Sequence, residues 1–546
     1  MLIKGRTERV YRVAHLACGI GSGAAGFNDA RAVMDGVAGR YECAGGIDVD
    51  PGAITNFDHL TGVPGTIMDL FNREQYVAFH GQQPPADWRE ATPEDVRSAF
   101  GGSRPLDVLF ASMPCKGFSS LLGSEYAITD KYQALNALTT RGMWLTLEAY
   151  KNDPIKIILF ENVPLIQTKG RKLLDEIQAL LRHYGYVWTE SKHDCGEIGG
   201  LAQHRRRFLM VARHVESMPP FLYEPHKLPM RPIGDVLGAM PLPGDPRGGP
   251  LHRIPELQWK TWSRLAFVKA GRDWRSLADP DMEVSDGRLL NWGIQPLDGP
   301  VADVASQIPP GSPHNEVLGV RPWNQSTGTV AGASRPHNGT YSVADPRYAG
   351  RDRSSTLGVG RWNEPSGTVT GETHPSNGRF SVADARDAGT GMQRVEHFRV
   401  VPLGTDARPA DGNGVLPDDT RRLATRIMSA DRTWHRPLTV LELAALQSLF
   451  DPEEIFAEGS ERSFDLSGGS EGKVREWIGN AVPRKAAQGM GETILECLLM
   501  SDLGVTFSLS SRAIWVKPLA IDLAVDVTMP GGAFHLDASP AHQIHP

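Results

Sequence analysis

Cysteine is scarce in this chain of 546 residues: five in all, at 18, 43, 115, 195 and 497, with no CxxC spacing. A scattered, odd set excludes a disulfide framework and a thiolate zinc site, and it fits a reducing, cytoplasmic setting. No metal site is expected. Long apolar runs are also missing. No stretch of about 18 apolar residues exists to span a bilayer, and MLIKGRTERVYRVAHLACG lacks the apolar core of a secretory signal. No membrane partner is expected. Nor is there a surplus of positive charge: the net is −7, so a nucleic-acid surface has to be a local patch. One stretch qualifies. Residues 201–280 hold 13 Lys or Arg against 7 Asp or Glu, a local +6.

What is present is length and a distinctive order of short segments. At this length two or three domains are expected, and the 58 glycines and 40 prolines predict a loop-rich region. Arg12 to Ala17 reads as a strand running into CGIGSGAAGF, whose Gly19, Gly21, Gly23 and Gly26 allow a tight turn before a helix with free amides. A second strand, Glu42 to Ile47, ends in Asp48-Val49-Asp50. That is roughly 25 residues past the glycines, where a carboxylate can accept ribose hydroxyls. A third ends at Asp69. Both aspartates could instead cap helices. Val108 to Ala111 is a short unbroken apolar run of the kind buried in parallel sheets. Pro114 stops it and delivers Cys115 to the carboxyl edge, where ligands sit in open α/β sheets. Ile157 to Phe160 repeats the pattern and ends in Glu161-Asn162-Val163-Pro164, where burial would make Glu161 a proton donor or a helix cap. QHRRRF, residues 203–208, puts Arg205 and Arg207 on one strand face, suited to forked hydrogen bonds with a carbonyl or anion.

In this order the glycine turn, Asp48, PCKGFS, ENVP, QHRRR, RPLTVLELAALQ (Arg436 to Gln447) and GNAVP (Gly479 to Pro483) resemble the DNA cytosine 5-methyltransferases. The resemblance covers residues 12–213 and 436–495. It implies an α/β fold with a doubly wound, mostly parallel sheet that binds S-adenosyl-L-methionine (AdoMet). A smaller loop- and β-rich domain would read the target. By resemblance Cys115 is the nucleophile at carbon 6 of cytosine, Glu161 protonates ring nitrogen 3, and Arg207, with Arg205 beside it, fixes the base carbonyl. Ala17, Cys18, Gly19, Gly21, Gly23, Asp48, Val49, Asp69, Pro114, Asn480 and Val482 are the implied cofactor contacts, with Asp48 on the ribose and Asp69 at the adenine. There are departures. His15 stands where the family usually has an acid, the turn reads GIGSG rather than GxGG, and Lys116 follows the cysteine.

The resemblance implies double-stranded DNA as partner, base flipping, a monomer of prokaryotic or phage type, and a cognate restriction endonuclease as a candidate companion. A tRNA methyltransferase of the same fold and a catalytically silent DNA-binding regulator are the alternatives. The expected organisation is 1–213 catalytic, 214–435 target recognition, 436–504 a bracing motif and returning helix, and 505–546 an extension of unknown role. Trp262, Arg264, Lys269, Arg272, Trp274 and Arg275 read either as a DNA-contacting mixture or as a helix with a solvated basic face. Residues 317–347 and 356–386 repeat, with 17 of 31 positions identical at a period of 39. They are either two DNA readers or, the preferred reading, a duplicated supporting hairpin. Residues 396–431 look like a polar linker, and one or two extra strands are expected around Ala513 to Val516.

Overall fold

The computed structural model describes residues 7–114, 130–268, 270, 284–285, 288–289, 292–296, 302–303, 320–322, 342–344, 359–369, 381–384, 386, 395–402, 416–429, 432–505 and 510–516. The first elements are β1 (Glu8–Leu16), α1 (Ser22–Asp29), β2 (Arg31–Met34), β3 (Val37–Asp48), α2 (Pro51–Thr61), β4 (Thr66–Ile67), α3 (Arg73–His80), α4 (Pro93–Ala99) and β5 (Val108–Ala111). Then come α5 (Asp130–Ala149), β6 (Ile157–Asn162), α6 (Ile166–Lys169), α7 (Arg171–His183), β7 (Tyr186–Asp194), α8 (Cys195–Gly199) and β8 (Arg206–His214). The strands form one sheet in the order β2-β3-β1-β5-β6-β8-β7, with β4 beside β3. β3, β1, β5 and β6 run parallel, and β8 runs antiparallel to both β6 and β7.

Every residue of β5 and of β6 is buried. An unbroken apolar strand needs cover on both faces, and helices supply it. One face packs against α1 and the long C-terminal helix through Phe27, Met490, Ile494 and Leu498. The other packs against α4, α5 and α7 through Phe100, Met143, Leu147, Leu174 and Ile177. β1 has β3 on one side and β5 on the other, so chain order reverses there. In doubly wound sheets this switch point opens a crevice at the carboxyl ends of the strands.

After β8 come α9 (Ile233–Leu237), α10 (Trp259–Leu265), α11 (Val440–Leu446), α12 (Pro452–Ile455), α13 (Glu471–Asn480) and α14 (Arg484–Asp502). Between α10 and α11 a second, seven-stranded sheet runs in the order 302–303, 292–296, 396–402, 425–428, 434–437, 381–384, 359–360. Two expectations change here. The segment from Glu396 is not a linker at its ends: Glu396–Pro402 and Thr425–Met428 are sheet strands. Phe398 and Val400 alternate inward among polar neighbours, a half-buried strand pattern. Trp262 is not a DNA-contacting group either. It is fully buried beside Trp259 and donates Nε1 to the Leu423 carbonyl at 2.9 Å, while Arg264 on the same helix is exposed. Lys269, Arg272, Trp274 and Arg275 lie outside the described residues. At the C-terminus Ile514–Val516 pairs with Leu222–Tyr223, as expected of an extra strand. Trp515 plugs the first core there and donates to Ser191 at 3.0 Å.

Candidate active site

A cavity of about 320 Å³ opens at the switch point, lined from β1 and its turn, β3, β5, β6, the start of β8 and the α13–α14 junction. Its size lies at the low end of the range for small-molecule sites, about 300–1,000 Å³. The turn after β1 is built for close approach. Ala17, Gly19 and Gly21 all take positive φ, at 53°, 53° and 85°. At Gly21 an added Cβ would lie 2.9 Å from the Phe57 ring, so glycine is required by both angle and space. Ala17 holds the left-handed conformation without that excuse. Such strain is kept where the surroundings over-determine it, often at ligand sites. α1 then begins with no side-chain cap, so its first amides point at the cavity unsatisfied by any side chain.

Asp48, at the end of β3, braces this turn. One carboxylate oxygen accepts from the Gly19 amide at 2.9 Å and the other from the Asp50 amide at 3.0 Å. Burial raises its pKa although these amides work the other way. Each oxygen keeps a second lone pair for a hydroxyl. The thiol of Cys18 lies in the same cavity, and burial, then the nearby Asp48, push its pKa well up. It is held as a thiol.

At the other end, Glu161 closes β6. Its Oε1 lies 3.0 Å from Arg207 Nε, and its Oε2 accepts from Ser112 Oγ at 3.1 Å. The sequence alone pictured Glu161 as an isolated buried carboxyl. It is one half of a nearly buried ion pair, which holds both side chains in a fixed orientation toward the cavity. Arg205 has a different job. Its guanidinium donates to the carbonyls of Val369, Gly479 and Ala481 at 2.9–3.0 Å, tying the catalytic sheet to the second domain and the GNAVP segment. It is committed to backbone and positions rather than reacts.

Ala17, Cys18, Gly19, Gly23, Asp48, Val49, Pro114, Glu161, Arg205, Arg207, Asn480 and Val482 thus share one cavity. Gly21 shapes the turn without lining it. Asp69 lies elsewhere: its carboxylate accepts from the Phe71 amide and from Trp88 Nε1, beside a separate pocket under α4. Its two oxygens serve a local turn, so the cavity brings it no role. Cys115 lies outside the described residues; Pro114, which precedes it in sequence, lines the cavity.

Sequence reading missed one wall. Lys473, Glu476 and Trp477 of α13 face the same cavity. Trp477 donates Nε1 to Asp50 at 2.9 Å, and Lys473 reaches the same oxygen at 2.9 Å. The indole fits because Gly52 and Gly469 leave room; a Cβ at either would lie under 3.0 Å from it. An aromatic two residues before Gly479-Asn480 was the available signal. Among the described residues no cluster of three metal-ligating side chains occurs, and no helix is long and apolar enough to cross a membrane.

The strand order and this cavity define a class I methyltransferase fold. Residues 11–238 match the model of a family described as C-5 cytosine-specific DNA methylase. The chain is similar to the Type II methyltransferase M.XorII of Xanthomonas oryzae pv. oryzae, 28% identical over 184 residues. That match spans 33% of this chain and only 39% of the relative's length. Among solved structures, the Entamoeba histolytica methyltransferase EhMeth is 10% identical with a TM-score of 0.44, covering 91% of this chain and 99% of that one. A putative DNA modification methyltransferase encoded within an E. coli prophage is 13% identical with a TM-score of 0.42, covering 90% and 99%.

Proposed function

We propose that the protein methylates carbon 5 of cytosine in double-stranded DNA, with AdoMet as donor and Cys115 as the covalent nucleophile. The observation that supports this most is the meeting of two half-sites in one cavity. A nucleoside-type pocket of glycine turn and Asp48 sits at one end, and the Glu161–Arg207 pair at the other. The residues fit the donor: an uncapped helix start for a carboxylate, a carboxylate for ribose hydroxyls, and glycine backbone where the ligand must come close. AdoMet, when bound, supplies an electrophilic methyl group.

The chain's residues supply the rest. Carbon 5 of cytosine is a weak nucleophile while the ring is aromatic. Addition of the Cys115 thiolate at carbon 6, with a proton delivered to nitrogen 3, turns carbon 5 into an enamine carbon. Glu161 is the group placed to handle that proton, and Arg207 holds both Glu161 and the base carbonyl. After carbon 5 has gained the methyl group its proton passes to water, and the freed pair restores the 5,6 double bond. The carbon–sulfur bond breaks to release the Cys115 thiolate, and the nitrogen-3 proton returns to Glu161. The base must be swung out of the duplex, at a cost of a few kcal/mol. The second domain, joined through Arg205, is where that energy is gained. A companion restriction endonuclease would suit such an enzyme.

The test is methyl transfer to duplex DNA and to tRNA by the full chain and by Cys115→Ser, with bisulfite sequencing of the DNA. Transfer to cytosine in DNA, abolished by the substitution while DNA binding persists, is expected. Undiminished turnover in Cys115→Ser would refute the covalent mechanism, and transfer to tRNA alone would move the substrate class.

A further inference from the structure

The ladder between β5 and β6 continues past the point where its backbone pairing stops. The two strands run parallel and in register up to Ala111 opposite Phe160. Ser112 and Glu161 come next, then Met113 and Asn162, and at both places a side chain takes over. Ser112 Oγ donates to Glu161 Oε2 at 3.1 Å, and Asn162 Nδ2 reaches the Met113 carbonyl at 3.4 Å. Alternation along a strand explains why the first pair meets. Ser112 shares a face with Phe110, and Glu161 with Leu159, both of which belong to the core packed against α1. Register neighbours in a parallel pair point the same way, so hydroxyl and carboxyl emerge together into the cavity that both line.

Arg207 and Ser112 hold opposite oxygens of this carboxyl. The contact of Arg207 runs from Nε to Oε1 at 3.0 Å, while its Nη1 donates to the Arg206 carbonyl at 2.8 Å. A planar group gripped at one oxygen can still turn about that contact; a grip on the other oxygen stops it. The two grips also differ in kind. A guanidinium is always charged and only donates, whereas a hydroxyl both donates and accepts. A proton avoids the oxygen that faces a full cation. We propose that Ser112 is a positioning residue for the proton step: its hydroxyl fixes the plane of the Glu161 carboxyl and leaves Oε2 as the oxygen that carries the transferable proton. This rests on the role of Glu161 in the reading above. As the proton passes, the Oε2–H bond breaks, the N–H bond at ring nitrogen 3 forms, and the electron pair left on Oε2 is met by the Ser112 hydroxyl. The backbone here is held without the side chain, because the Ser112 amide donates to the Leu16 carbonyl at 3.0 Å.

The experiment is steady-state methyl transfer by the full chain, Ser112→Ala and Ser112→Thr, on duplex DNA free of cytosine methylation and tritiated at carbon 5 of cytosine. Tritium released to water with AdoMet present counts turnovers; release without it reports addition at carbon 6 alone. Ser112→Ala is expected to lower kcat roughly ten- to a hundredfold, the worth of one hydrogen bond to a charged group, with KM for DNA and for AdoMet unchanged. Release without AdoMet should fall in the same proportion, since the proton is delivered in the addition step. Ser112→Thr, which keeps the hydroxyl, should recover most of the rate. Thermal melts separate unfolding from a lost contact, and Ser112→Cys, a weak donor in the same space, replaces Ser112→Ala should that variant melt early. Full kcat in the folded variant, a loss confined to KM, or no recovery in a folded Ser112→Thr overturns the inference and leaves the function standing. No tritium released by the unaltered chain, with or without AdoMet, overturns the function and this inference with it.

Discussion

The two copies of the 39-residue repeat build the same unit and have different surroundings. In each, a strand pairs in parallel with one that follows, at the same register: Val320 opposite Ser342, and Val359 opposite Ser381. The first copy's pair forms a two-stranded sheet, whereas the second extends the seven-stranded sheet by pairing Ser381–Asp384 with Trp434–Pro437. The second copy is bolted into the protein at four points. Val369 and Ser366 bond the QHRRR segment, and Trp362 lies over Gly234, where a Cβ would clash at 2.3 Å. Asp384 meets Arg436, which also grips Glu442 with two nitrogens, all three side chains fully buried. Arg386 donates to Asp384 and to the carbonyls of Leu237 and Met240 and stacks on Trp362 at 5.1 Å. Arg386 is therefore a structural tie rather than a reader of DNA. Among the described residues these ties belong to the second copy.

The sharpest way to break this comparison is at Arg436. Its removal, as Arg436→Met, leaves Asp384 and Glu442 buried without a cation, and breaking such a network costs about 3–5 kcal/mol. Urea unfolding should show that loss. Asp384→Asn should follow closely. Asp345→Asn, the matched change in the first copy, should cost far less, because Arg436 already spends its donors on Asp384, Glu442 and the Pro437 carbonyl. Equal losses would mean that the first copy has an equivalent seat.

Acid should act next. Burial pushes Glu442 upward, but Arg436 overrides it and holds the pKa down at about 2, and Asp384 is lowered in the same way. A depressed carboxylate contributes stability that is present above its unfolded value and lost as pH falls through the folded one. Histidines lowered by burial add an earlier phase, His214 and His252 among them. His15 is lowered to about 3 and His193 to about 4, chiefly by burial. Below pH 6.5 the unfolded chain takes up protons that these folded imidazoles refuse, at about 1.4 kcal/mol per histidine per pH unit. Stability should thus begin to fall near pH 6.5 and fall further below about 4.5. Replacing His15 and His193 by phenylalanine should weaken the first phase and leave the second unchanged.

Much of the catalytic half was legible in the sequence because its signals are local. Unbroken apolar runs ended by Pro114 and by Glu161-Asn162 marked β5 and β6, as found. What stayed hidden depends on distant partners. Nothing near Asp69 in sequence says that Trp88 will claim it, nor near Asp50 that Trp477 will. Arg205 and Arg207 share a strand face on paper, yet one serves three carbonyls and the other Glu161. In the middle region Trp262 stayed open between two readings because the Leu423 carbonyl that takes its N–H lies 161 residues away.

A moderate effect is expected at Arg386. Arg386→Ala removes the stack on Trp362 and two carbonyl ties, a loss of about 1.5–3 kcal/mol for hydrogen bonds from a charged group. Bisulfite patterns should keep the same methylated sites at lower yield. Should Arg386→Ala instead abolish one class of sites while stability holds, the second copy reads DNA after all.

The smallest effect should come from Arg361, where the copies differ in sequence. Arg361 pairs with Glu364 at 3.0 Å on the surface and reaches the Ala270 carbonyl at 3.0 Å. The first copy has Pro322 and Gln325 at these places, so it cannot form that pair. An exposed pair of this kind contributes about 0–1 kcal/mol, so Arg361→Ala should leave the urea midpoint almost unmoved. A larger loss would point to the Ala270 contact. The chain just beyond α10 would then be clamped to the second copy by a tie the first copy cannot make, and the difference in seating would have a cause in the repeat itself as well as in Arg436.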